Sequence, residues 1–99
     1  MEYEQITQEY RDDFLAEAMY AREIEIFHYD FDRLNFMRLL KTLPAGEFRA
    51  QIEQRLAATE QQLQNSVAVY ETLKSRIVDI EAHAAAVART AARREKQRE

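Results

Sequence analysis

The chain contains a single glycine, Gly46, and a single proline, Pro44, only two positions apart in 99 residues. Glycine and proline supply most tight turns, so a fold of many strands and hairpins has almost no turn residues to draw on. Proline is tolerated in the first turn of a helix but not in its interior, so the second helix should begin close to Pro44. These residues predict an all-α chain with one break.

The single break predicts an αα-hairpin of two long antiparallel helices, because a short connection brings consecutive helices back alongside each other. We expect helix 1 at about 3–42, a loop at about 43–46 and helix 2 at about 47–96, within one domain covering 1–99. Since a hairpin this small buries little apolar surface, we expect two copies to dimerise into a four-helix bundle.

Apolar positions in the second helix recur in alternating steps of four and three, the period of a coiled coil. One set is Leu56, Leu63, Tyr70, Ile77, Ala84 and Ala91, and the other is Ile52, Thr59, Ser66, Leu73, Ile80 and Val87. This pattern predicts one continuous packing face along the whole helix, with close packing at its alanine-rich end.

The first helix carries two such rows on different faces. The first seam is Tyr10, Asp13, Glu17, Tyr20, Ile24, Phe27, Phe31 and Leu34, and the second seam is Leu15, Met19, Arg22, Ile26, Tyr29, Arg33, Phe36 and Leu40. Only one seam can meet the second helix, so the other predicts an interface, and the sequence leaves open which one faces outward. The expected core or interface residues are Leu15, Met19, Tyr20, Arg22, Ile26, Phe27, Tyr29, Phe31, Arg33, Phe36 and Leu40.

Charge is segregated along the chain. Up to Asp32 there are ten carboxylates against two arginines, a balance of −8, and the remainder carries twelve basic against eight acidic side chains, a balance of +4. Antiparallel helices would place the acidic start near the basic tail from Arg89 onward. The tail is diluted by acidic residues and the pI is 5.2, which argues against direct nucleic-acid binding.

The acidic stretch has two interpretations. It can be a solvated helix face, or it can imitate the charge of a nucleic acid and occupy a basic groove of a partner, as some phage anti-defence inhibitors do. The residues expected on such a face are Asp12, Asp13, Glu23 and Asp30.

Glu25 and His28 form a Glu-x-x-His pair, the spacing that ferritin-like carboxylate bundles use for metal. Either Glu17 or Glu60 could complete such a site. A second Glu-x-x-His is missing, so an ordinary surface pair is the preferred interpretation and we expect no cofactor. Asp79 and His83, four apart, are likewise expected to form an exposed ion pair rather than half a metal site.

The residue types present favour a non-enzymatic interaction module. There is no cysteine, no glycine-rich phosphate loop and no nucleophile with a plausible base. No apolar run approaches the ~20 residues of a membrane span, and we expect a cytoplasmic protein. Its expected partners are itself and an unidentified protein, in an adaptor, chaperone-like or inhibitor role.

Overall fold

The computed structural model describes residues 2–98, and the side chains of residues 7–98. Within this range the chain forms three helices, α1 (Glu2–Leu40), α2 (Glu47–Lys74) and α3 (Ile80–Arg98). The all-α prediction is confirmed. The sequence predicted one helix over 47–96, and that prediction is wrong because the helix is interrupted at 75–79.

The interruption follows from local side-chain chemistry rather than from glycine or proline. Ser75 Oγ donates a hydrogen bond to the Thr72 carbonyl oxygen at 2.6 Å, at the end of α2. Asp79 Oδ1 accepts a hydrogen bond from the Ala82 backbone N–H at 3.1 Å, which makes Asp79 the N-cap of α3. The β-branched Ile77 and Val78 lie between these two residues and have low helix propensity. Asp79 is therefore a helix cap and not the first residue of an exposed ion pair.

The connection between α1 and α2 covers 41–46 and is held by Arg49. Its Nη1 donates to the carbonyl oxygens of Leu40 at 2.7 Å and Leu43 at 2.8 Å, which satisfies one acceptor at the end of α1 and one in the connection. Gly46 has a φ of +155°, a backbone angle that residues with a Cβ rarely adopt. Its carbonyl oxygen accepts a hydrogen bond from the Ala50 N–H at 3.1 Å. The predicted loop lies inside this connection.

Residues 22–70 form one compact unit, here called the paired unit. In it the second half of α1 and α2 run antiparallel, since Ser66 contacts Glu25 and Tyr70 contacts Glu23. The buried residues of α2 are Ile52, Thr59 and Ser66. They belong to the predicted seam. The other members of the seam up to Leu73 are half-buried, so this part of the predicted packing face is present.

The second compact unit, here called the capped unit, comprises α1 up to Ala21 and the chain from Glu71 onward. Asp13 contacts Arg89 and Arg93, and Tyr20 contacts Arg94, so α3 runs parallel to this part of α1. Ala16, Met19, Ala86 and Thr90 are buried between the helices. The small Ala86 is completely buried, which fits the expected close packing of the alanine-rich segment.

Beyond the interruption the predicted seam is wrong at three of its four positions in α3. Ile80, Ala84 and Val87 are exposed and Ala91 is half-buried, while the buried residues are Ala86 and Thr90. Because α3 starts afresh at its own cap, its buried face is set by its packing on α1 and not by the heptads of α2.

Candidate interaction surface

The second seam of α1 is the one that packs within the chain. Met19 is buried, and the other members are half-buried. The half-buried members are Leu15, Arg22, Ile26, Tyr29, Arg33, Phe36 and Leu40. These predicted interface residues therefore contribute to intramolecular packing. Of the two seams of α1, the second is the one that faces the other helices of the chain.

The first seam divides into a covered and an exposed part. In the capped unit, α3 lies over Asp13 and Tyr20. In the paired unit, four large apolar side chains remain 42% to 69% exposed. This set, here called the α1 stripe, consists of Ile24, Phe27, Phe31 and Leu34. Their spacing of three, four and three residues places them on one side of the helix.

A shallow groove of about 490 Å³ lies between α1 and α2 in the paired unit. Its apolar lining includes Ile26, Phe27, Leu63 and Val67. The polar lining is Glu23, Asp30 and Tyr70. The groove adjoins the stripe through Phe27, so apolar surface continues from α1 toward α2.

The four predicted acidic-face residues each accept hydrogen bonds from this chain. Asp12 bonds to Gln8, Asp13 to Arg89 and Arg93, Glu23 to Tyr70, and Asp30 to Arg33. Their carboxylates help to hold helices and side chains in place. Glu2 and Glu4, which add to the acidic start of the sequence, lie outside the described side chains.

Asp13 is the most strongly bonded of these carboxylates. Arg89 donates to its Oδ1 from Nε at 3.1 Å and from Nη2 at 2.7 Å, and Arg93 Nη2 donates to Oδ2 at 2.5 Å. Desolvation alone raises the pKa of Asp13, but the hydrogen bonds and positive charges of the two arginines outweigh it and the pKa lies below its ordinary value. The expected contact between the acidic start of the chain and its basic tail is present at Asp13, Arg89 and Arg93, although α3 is parallel and not antiparallel to α1.

Arg94 provides a second contact between α3 and α1. Its guanidinium carbon lies 3.6 Å from the centre of the Tyr20 ring, a cation–π arrangement. Tyr20, predicted as an interface anchor, is thus half-buried beneath a residue of its own chain. Sequence reasoning identified both residues but not their contact, because the parallel placement of α3 depends on the interruption at 75–79.

The proposed metal residues lie in the following positions. Glu25 accepts from Ser66 Oγ at 3.0 Å and forms an ion pair with Arg22 at 3.0 Å. His28 is exposed, with its ring edge-on to Phe27, and Glu17 and Glu60 are exposed. Among the described side chains, no three carboxylates or imidazoles are grouped so that they could hold one ion.

Within the described residues, no helix combines the length and apolar character needed to cross a bilayer. Comparisons of the chain with protein family models, curated proteins and solved structures found no match.

Proposed function

We propose that this protein is a non-enzymatic helical interaction module and that the α1 stripe is its binding surface. The observation that carries the proposal is the exposure of Ile24, Phe27, Phe31 and Leu34 in one row on a single helix. Rows of large apolar side chains in water are characteristic of helix interfaces, where aromatic residues contribute strongly to binding. Adaptor, chaperone-like and inhibitor roles all use such a surface.

The proposed first partner is a second copy of the chain. In the paired unit, α2 contributes only Ile52, Thr59 and Ser66 as buried residues, and two of these are polar. So small a core stabilises two helices weakly. Packing the stripe against its equivalent in another copy would bury four more apolar side chains on each side and produce a four-helix bundle.

The test is the replacement of the two aromatic residues of the stripe. We expect the wild-type chain to be a dimer at micromolar concentration by light scattering, and the double variant Phe27→Ser with Phe31→Ser to be a monomer with an unchanged helical circular dichroism spectrum. Both residues are more than half exposed, so the substitutions remove interface area and leave the packing of the paired unit intact.

Phe48→Ser is the matched control. Phe48 is 57% exposed, as is Phe31, but lies at the start of α2 and outside the stripe. The control should remain dimeric. A wild-type chain that stays monomeric, or a double variant as dimeric as the control, would overturn the proposed use of the stripe in self-association.

A further inference from the structure

A cavity in the capped unit shares no residue with the α1 stripe. It has a volume of about 510 Å³ and is bounded by α1, the end of α2, the 75–79 connection and the start of α3. Leu15, Leu73 and Ile77 are half-buried members of its wall. Small-molecule sites have volumes of this order and walls of this apolar character.

The rim of the cavity is apolar and open to solvent. Val78 is 96% exposed, and Tyr10 and Phe14 are each about two-thirds exposed. The two aromatic rings stack with their centroids 6.4 Å apart. A ligand seated here would cover these three side chains, and the removal of their apolar surface from water would favour binding.

Both carboxylates in the lining already accept hydrogen bonds. Asp12 Oδ1 accepts from Gln8 Nε2 at 3.0 Å, and Asp79 Oδ1 accepts from the Ala82 N–H at 3.1 Å. Their negative charges are therefore partly engaged by neighbouring donors, and Asp79 is fixed in its role as a cap.

The lining also contains three basic side chains, Arg11, Arg76 and His83. The guanidinium groups of Arg11 and Arg76 form no hydrogen bond or ion pair with another described residue. His83 is part of the cavity wall, and its buried Nδ1 has no hydrogen-bond partner. Protonated at Nδ1, as one neutral tautomer or as imidazolium, this ring donates a hydrogen bond. A buried polar atom without a partner is rare in folded proteins, and a ligand atom would satisfy it.

We propose that this cavity binds a small amphipathic anion, whose aromatic or aliphatic body lies against the apolar wall and whose anionic head contacts Arg11, Arg76 and His83. Guanidinium groups suit carboxylate-like and sulfonate-like heads because they donate several hydrogen bonds in one plane. This site does not depend on the proposed self-association.

Two dyes with similar aromatic bodies test the proposal. 8-Anilinonaphthalene-1-sulfonate carries an anionic head, and N-phenyl-1-naphthylamine lacks it. In fluorescence titrations of the full chain we expect saturable binding of the sulfonate at one site per chain, about tenfold tighter than binding of the neutral dye. Equal affinities, or no saturable binding of the sulfonate, would overturn the proposal.

Substitutions then locate the site. Arg76→Gln should weaken binding of the sulfonate about tenfold and leave the neutral dye unchanged. His83→Phe keeps an aromatic ring but removes the unpaired nitrogen, so it should weaken sulfonate binding while raising the thermal midpoint of the free protein. If the double variant Phe27→Ser with Phe31→Ser abolishes dye binding instead, the dye binds the stripe and the cavity proposal is wrong.

Discussion

Asp13 of α1 forms ion pairs with two arginines of α3. Only 13% of its side chain is exposed, and both of its oxygens accept hydrogen bonds from arginines of α3. The sequence shows the opposite charges of these segments but not which residues meet. Attraction between oppositely charged segments is satisfied by many alignments of two helices. A guanidinium that donates two hydrogen bonds to a carboxylate is formed in only one of them.

The lowered pKa of Asp13 predicts a pH-dependent contribution to stability. The contribution is complete above the unfolded-state value of 3.8 and is lost as the pH falls from there through the lower folded-state pKa. Asp13→Asn should therefore unfold at a lower urea concentration than wild type at neutral pH, and the difference should shrink in acid. Asp32→Asn, an exposed carboxylate on the same helix, is the control; a difference that persists undiminished in acid would contradict the assignment.

At the scale of elements, the C-terminal end of α1 and the start of α2 could be predicted because Pro44 and Gly46 mark them. The interruption at 75–79 could not be predicted from glycine or proline, since that segment has neither. Its signals were the β-branched Ile77 and Val78, followed by Asp79 as a cap and Glu81 in the first turn of α3. The heptad pattern continues across this segment without a break, so it predicted a single helix.

The N-cap of α3 gives a prediction for this element. Asp79→Ala removes the acceptor for the Ala82 N–H and should lower the free energy of unfolding by about 1 kcal/mol. Urea denaturation followed by circular dichroism measures this change. Asp32→Ala, which removes a carboxylate from a helix interior, should change stability much less; equal effects of the two substitutions would exclude a specific capping role.

At the scale of the whole molecule, the all-α class followed from composition, whereas the outward face of α1 did not. Both seams of α1 have the same spacing and similar apolar content, so only contacts with other helices distinguish them. The cavity was also beyond sequence reasoning, because its lining combines residues far apart in the chain, such as Leu15 and His83. Long-range placement of this kind depends on where each helix starts.

Proposed self-association predicts that stability depends on protein concentration. If the dimer is the folded form, mass action raises the thermal midpoint as concentration increases through the micromolar range. The double variant Phe27→Ser with Phe31→Ser should show no such dependence, and Phe48→Ser should behave like wild type. A wild-type midpoint that is constant across this range would argue against a dimer.

The spacing of the buried residues of α2 affects which alignment of α2 on α1 is the most stable. Ile52, Thr59 and Ser66 are seven residues apart, and the last two carry similar small hydroxyl side chains. A slip of α2 by one heptad, about 10 Å along its axis, would place one hydroxyl where the other now lies. At that position the two alignments bury similar side-chain volumes and the same hydroxyl group. The hydrogen bonds from Arg49 to the carbonyl oxygens of Leu40 and Leu43 would be lost in a shifted helix, so hydrogen-bond geometry at the connection favours the observed alignment.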